Sequence, residues 1–579
     1  MARISSLASS VRIMACLTAC GLACSSALGE NPTTSAGLPA SGARVVRLAD
    51  TAPGTASGLA TMSFVQVGNE VYFRSTSDGT ASSGGSLWRS NGRPGGTIRL
   101  DTGVLYDPVA VGNSVVYIRG GASAMGPAGL CVAIAGTTTP VLVVPGAVQL
   151  PFTTLRAETG NVRVAGTKVF YAQGSPTALW SWDWLTGVQE QLTTPTGTGA
   201  IPLREVVVVG SRAFILGQNT TGYGLWASDG TAAGTIRAAA LTSLPYGSQA
   251  AAALTSDGTR VYFTQNGSGG YKLWTSDGTI AGTFMIGPVP SPTPTSMWSA
   301  DGAMGVYWAG TATTTSGSAT QLWHYSPTVN GQEQLLNFAA GTTLINLGSG
   351  QGASVFVDQQ GYYSSTGAKT LWVTFGSQAT TLVGPQGVVT ASTNTQLIAG
   401  APSPLSATAG NEVYFARTST ASGTELWHVN VATGAMGIVA DMAPGTASTN
   451  PTNIIGLDRG QGAAVFAQSP ASRLWTVNPD GSRVRYVAMP TMPSTFAKPV
   501  SVGNRIFMAL SSTGGVEPWA ADLCPADYDN SGTVSTQDLF GYLNDWLAGD
   551  RNAIWDVTHT TPAVSDLYGY LNAWINGCP

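Results

Sequence analysis

Tyr223 to Ala238 reads YGLWASDGTAAGTIRA, and forty-eight residues on, Tyr271 to Ile286 reads YKLWTSDGTIAGTFMI. Two such segments at that spacing mark an internal repeat, and a repeat decides the fold before any single residue does. Looser copies place a Leu-Trp or Pro-Trp pair at Trp88, Trp180, Trp323, Trp372, Trp427, Trp475 and Trp519. In Gly129-Leu130-Cys131 the slot holds Cys, so Cys131 reads as a buried structural replacement and not as a reactive thiol, which would need exposure and an electropositive setting. The ten slots lie 43 to 55 residues apart, with a mean near 48.

That period is the length of a four-stranded propeller blade. In the first copy Phe64-Val65-Gln66-Val67 gives one strand, Val71-Tyr72-Phe73 a second, Leu87-Trp88 a third and Thr97-Ile98-Arg99-Leu100 a fourth. Equivalents of the second recur at Val169-Phe170-Tyr171, Val261-Tyr262-Phe263, Val413-Tyr414-Phe415 and Ile506-Phe507-Met508. β-branched and aromatic residues suit half-buried strands, and Gly-Asn or Asp-Gly supplies the corners between them. The last copy stops at Val516-Glu517-Pro518-Trp519 without a fourth strand, while an orphan strand, Ala43 to Leu48, precedes the first. The orphan is followed by Asp50-Thr51-Ala52-Pro53-Gly54-Thr55-Ala56-Ser57, which matches Asp441 to Ser448 after the fourth strand of a later copy. The N-terminal strand is therefore expected to complete the last blade and remove an exposed sheet edge. The fold expected is all-β, a β-propeller of about ten four-stranded blades in one ring or in two five-bladed rings, the wide gap between Trp372 and Trp427 being the weak place in a single array.

Composition agrees. The chain of 579 residues has 73 Gly and 32 Pro, with only 10% charged and 43% hydrophobic residues. That is poor in charge for coiled coils or disordered tails, and rich in corners. The net charge of −4 excludes a nucleic-acid binder that works through a broad basic surface. The segment from Asp522 to Pro579 holds eight Asp and one Arg, a local −7, which leaves about +3 elsewhere.

The segments around Tyr223 and Tyr271 resemble the ELWxxDGT repeat family. Asp229-Gly230-Thr231 and Asp277-Gly278-Thr279 read as self-bonded turns, since Asp accepts from amides of its own corner and Gly takes the left-handed position. The Trp slots read as core between blades. His324 and His428 follow Leu-Trp pairs as solvent-facing strand residues. Asp301, Glu70, Glu205 and Glu425 are carboxylates that a propeller enzyme would use, but no pattern makes any two converge, and Glu425 sits at the repeat's Glu position. No catalytic residue is assigned.

Arg3 and Arg12 precede an apolar stretch from Ile13 to Cys24, with Ala27-Leu28-Gly29 as a small-residue cleavage site, the form of an export signal. Leu17-Thr18-Ala19-Cys20 also reads as a lipobox, which would leave Cys20 lipidated. No later segment is apolar enough to span a membrane. Of the six cysteines, Cys16, Cys20 and Cys24 fall in the signal. Cys524 and Cys578 bracket the acidic tail and are expected to form a disulfide in an exported protein.

The tail carries the sharpest chemistry. Asp527-Tyr528-Asp529-Asn530-Ser531-Gly532-Thr533-Val534-Ser535-Thr536-Gln537-Asp538 places oxygen ligands at loop positions 1, 3, 5, 9 and 12 with Gly at 6, the EF-hand arrangement for a hard Ca²⁺ ion. Asp527, Asp529 and Ser531 supply side-chain oxygens, Thr533 a carbonyl, Asp538 the closing carboxylate, and Ser535 a ligand either directly or through water. An amphipathic helix follows, with Leu539, Phe540, Leu543, Trp546 and Leu547 on one face; twenty-eight residues later Leu567, Tyr568, Leu571, Trp574 and Ile575 repeat it. This duplicated loop-helix module resembles a dockerin, and Cys524-Pro525 with Gly577-Cys578-Pro579 resembles the GC-type variant. The second loop departs from the pattern: Asp556, Thr558 and Thr560 precede Asp566, one residue short and poor in carboxylates. One Ca²⁺ site is expected.

The domains expected are a signal peptide at 1–29, a linker at 30–42, the repeat array at 43–521 and the dockerin-like module at 522–579. The dockerin resemblance implies a cohesin-like or cell-surface partner and association with polysaccharide-degrading systems. Together these readings give a secreted or surface-displayed, non-catalytic repeat protein; the competing expectation is a carbohydrate-active enzyme or polysaccharide-binding component.

Overall fold

The computed structural model describes residues from 38 to 577 with internal gaps, the longest being 76–84, 150–161, 193–204, 243–253, 361–370 and 389–405. The expected signal segment with Cys16, Cys20 and Cys24 lies outside the described residues, as do Asp301, Asp556, Thr558, Thr560 and Cys578. Among the described residues the protein is all-β except for its tail. In these residues eight sheets of four or five strands and one of eight strands, which joins two four-stranded units through Val104 and Arg119, give ten units. Two helices of 13 residues, α1 (Thr536–Ala548) and α2 (Val564–Asn576), form the tail. Among the described residues no helix is long and apolar enough to cross a membrane.

Each unit is an antiparallel meander. In one, Glu205–Val209, Arg212–Asn219, Gly222–Ser228 and Ile236–Leu241 pair in chain order. First strands of successive units lie side by side, from Arg163–Ala165 through Glu205–Val209, Leu254–Ser256, Pro294–Ser299, Thr342–Gly350 and Ser406–Ala409 to Pro451–Gly456. The register explains the Leu-Trp motif. Trp88 stands opposite Phe73, Trp274 opposite Phe263, Trp323 opposite Trp308 and Trp372 opposite Phe356. In all four pairs the rings are stacked, with centroids 6.0 to 6.4 Å apart. Such cross-strand aromatic pairs contribute about 0.2–1 kcal/mol each. The deepest residue is the preceding leucine: Leu87, Leu225, Leu273, Leu322, Leu426 and Leu474 are fully buried, whereas most slot tryptophans are half-exposed. A β-bulge falls between Leu and Trp in five units, at 87/88, 225/226, 273/274, 322/323 and 426/427. The extra residue is on the facing fourth strand, Leu100 opposite 87/88 and Ala238 opposite 225/226 for example, while Leu and Trp, adjacent in one strand, point to opposite faces by strand alternation.

The ends of the array meet. Arg44–Arg47 pairs antiparallel with Gly515–Asp522, which makes the N-terminal strand the fourth strand of the last unit, as the repeat offset requires. The loop that follows is gripped in the same way at both of its copies. Glu517 accepts from Thr51 N at 2.8 Å, and Glu425 accepts from Met442 N at 3.1 Å and Thr449 N at 3.1 Å. The first and last units share a core of Phe64, Phe73, Val502 and Phe507, and Met62–Ser63 runs parallel to Ala497–Lys498. Leu38–Pro39, expected as linker, adds a parallel fifth strand against Arg485 and Tyr486.

Candidate metal centre

Where their side chains are described, the array residues that tempt a catalytic reading are spent on structure. Asp229 accepts from Thr231 N at 2.9 Å and Thr231 Oγ1 at 2.8 Å, and Asp277 repeats both bonds at the same distances. Gly230 and Gly278 have φ of 86° and 90°, the left-handed conformation these corners need. Glu70 pairs with Arg89 at 3.4 Å, and Glu425 is sealed under its own loop, where burial pushes its carboxyl up to about 7. Of Glu205 the backbone alone is described. Cys131 is fully buried and burial pushes its thiol up to about 11, so it stays protonated and inert. His324 differs from the solvent-facing expectation. It is 1% exposed, stacked on Tyr307 at 4.5 Å and bonded through Nδ1 to Glu333 at 3.2 Å. His428 is partly exposed and bonds Glu412 at 2.9 Å.

The tail does bring acids together. Asp527, Asp529 and Asp538 each aim a carboxylate oxygen into a space where all three lie within 4.8 Å of one another. Asp527 and Asp538 are buried at 1% and 0%, and Asp529 is exposed. The loop curls because Asn530 and Gly532 take left-handed φ of 59° and 95°. Its amides then point inward: Ser531 N and Gly532 N donate to Asp527 at 2.9 and 2.8 Å, and Asp529 N and Ser535 N donate to Asp538 at 3.1 and 2.8 Å. Burial, together with the charge of Asp538, holds the Asp527 carboxyl above the ordinary aspartate range. For Asp529, burial acts the same way but is outweighed by hydrogen bonds led by Ser531, so its carboxyl lies below that range. Ser531 Oγ reaches Thr533 O at 3.2 Å, which puts both expected ligands on the same rim. Ser535 is committed elsewhere. Its side chain caps α1 by accepting from Gln537 N at 3.2 Å and lies 3.0 Å from Asp538 Oδ2. A set of three carboxylates, a hydroxyl and a carbonyl is the oxygen-only donor chemistry of a hard divalent cation.

The apolar stripe expected on the helices divides in two. Its inner edge, Leu539, Trp546, Leu567 and Trp574, packs around Tyr542 and Tyr570, whose rings stack at 3.9 Å. Its outer edge, Phe540, Leu547, Tyr568 and Ile575, is exposed. The tyrosines, absent from the stripe, are the real core, and the repeated Gly-Tyr-Leu-Asn of Gly541 to Asn544 and Gly569 to Asn572 was their signal. In the second half Asp566 is buried and accepts from Trp555 N at 2.8 Å and Ala563 N at 2.6 Å. Cys524 is disulfide-bonded; Cys578, its expected partner, is among the residues not described.

The module is seated on the array through cations. Arg93 lies 3.7 Å over the Tyr528 ring, and both Arg93 and Arg505 donate to Tyr528 O at 3.2 Å. Arg44 donates to Ile554 O and Trp555 O at 3.1 and 3.2 Å. Burial pushes the Arg44 guanidinium down to about 10, with Asp522 opposing, so it remains charged at neutral pH. A buried cation needs such carbonyl partners.

No protein-family model and no curated protein matches the sequence. Among solved structures, a mutant puromycin hydrolase complexed with PGG is similar at TM-score 0.28 and 14% identity, over 76% of this chain and 62% of that one. The tricorn protease is similar at TM-score 0.22 and 12% identity, over 79% of this chain and 42% of that one. This chain thus spans less than two thirds of either protein, and scores this low carry no argument about fold or activity.

Proposed function

We propose that the protein is a non-catalytic β-propeller of ten blades, secreted or held at the cell surface, that carries a dockerin-like module with one Ca²⁺ site. The observation that carries the reading is the convergence of Asp527, Asp529 and Asp538 in a loop that opens directly into α1. Support for the propeller comes from the pairing of Arg44–Arg47 with the last unit and from the core shared by the first and last units. Asp527, Asp529, Ser531, the Thr533 carbonyl and Asp538 would hold the ion, and Ser535 would act through Asp538. The ion would supply charge neutralisation and order, not reaction chemistry. The module would dock to a cohesin-like or other surface partner, and a polysaccharide is the ligand class in which the array would first be tested. Calorimetry of the full chain is expected to give one Ca²⁺ per molecule, lost in Asp538→Ala. Two equivalents, or binding untouched by that change, would overturn the assignment.

A further inference from the structure

Four of the array's hairpin corners use Gly-Asn: Gly68-Asn69, Gly112-Asn113, Gly410-Asn411 and Gly503-Asn504. Those of the first and last units, and no other Gly-Asn corner with a described bond, reach across to the metal loop. Asn504 Nδ2 donates to Asp527 Oδ2 at 2.7 Å, and Asn504 N donates to Asn530 Oδ1 at 2.8 Å. Asn530 returns a bond from Nδ2 to Val502 O at 3.0 Å. Asn69 Nδ2 donates to the carbonyls of Asp529 and Asn530, both at 3.3 Å. Gly503 has φ of 57°, and a side chain there would collide with Asn530. Corner and loop therefore interlock, with donors from two different units.

The consequence falls on one carboxylate. Asp527 Oδ2 already accepts from Gly532 N at 2.8 Å and Asn504 at 2.7 Å, which uses both of its lone pairs. Oδ1 takes only one short bond, from Ser531 N at 2.9 Å, and so keeps a lone pair for an ion. We propose that the loop from Asp527 to Asp538 is a metal-dependent staple across the junction of the first and last units, with Asn504 as the positioning residue for Asp527. Residues that orient a metal ligand from outside typically change affinity by about 10–100-fold when removed. By reciprocity, an ion that is held better by the seated loop also holds the junction closed.

This inference rests on the calcium reading, and one set of measurements on the full chain separates the two. Asn504→Ala is expected to weaken Ca²⁺ binding about tenfold, and Asn504→Gln, which keeps the amide donor, to recover most of the loss. Hydrogen exchange of wild type is expected to show Ca²⁺ slowing the amides of Arg44–Arg47 and Gly515–Asp522 as well as those of the tail. If Asn504→Ala fails to fold, the exposed Asn69→Ala is expected to weaken binding about threefold, in line with loss of two long neutral hydrogen bonds. Ca²⁺ binding within experimental error of wild type in a folded Asn504→Ala protein, or protection confined to residues after 526, would overturn the staple while leaving the calcium site standing. Absence of Ca²⁺ binding by the wild type would overturn both.

Discussion

Aspartate has opposite uses in the two parts of this molecule. In the array, Asp229 and Asp277 each curl a corner by accepting from the threonine two residues on, and among the described residues neither joins a cluster of three acids. In the tail, Asp527 does the same with Ser531 and Gly532, yet its neighbours Asp529 and Asp538 lie within 4.8 Å. The local bond is common to both regions; convergence is not. A carboxylate that satisfies its own turn is structural, and one that does so while facing two others is the start of an ion site. Glu425 and Glu517 stand between these cases, since they close loops as Asp does but are sealed from water.

The comparison breaks first at Asp527. Asp527→Ala is expected to lower Ca²⁺ affinity by at least about a hundredfold, or about 3 kcal/mol, by calorimetry. Next comes Glu425→Ala. Leaving the amides of Met442 and Thr449 buried and unpaired should cost about 3 kcal/mol in urea unfolding and leave Ca²⁺ affinity alone. Glu425 also gives the array a pH dependence of definite sign. Its carboxyl is raised from 4.5 to about 7, so its contribution is full below about 4.5 and is lost as pH rises through about 7. Between those values stability of the wild type is expected to fall relative to Glu425→Gln, and parallel profiles would contradict the burial argument. The smallest effect is expected for Asp277→Ala, about 1 kcal/mol with no change in metal binding. A larger loss, or any effect on Ca²⁺, would erase the distinction between turn and site.

How much of this was legible in the chain follows from which forces are local. The Asp-Gly-Thr corners and the loop from Asp527 to Asp538 are written within a few residues, because a turn's donors and acceptors are its own. The displaced N-terminal strand was legible too, since the matching loops after Leu48 and Ala440 betray the offset. Depth was harder to read. Both Leu and Trp read as core residues, but strand alternation sends them to opposite faces, and only Leu225 is fully buried while Trp226 is half-buried. The helix stripe misled for a related reason: periodicity gives a face, and Phe540 and Leu547 lie on the side of it that nothing covers. The seating of the tail had no local signal at all. Arg44 and Trp555 are 511 residues apart, as are partners of Arg93 and Asn69 by more than 400, and no period connects them.

The pairing of Arg44–Arg47 with Gly515–Asp522 also sets an order of events. Units in the middle of the array can form as soon as their own four strands exist, because each is a local meander. The last one cannot: its outer strand is made first and its other three last. During synthesis the N-terminal strand must wait, unpaired, while the other nine units assemble. A chain cut short anywhere within the array keeps that waiting strand and an open sheet edge at its far end, two surfaces that pair as readily with another copy as with each other. Interrupted translation or proteolysis should therefore favour strand-swapped oligomers.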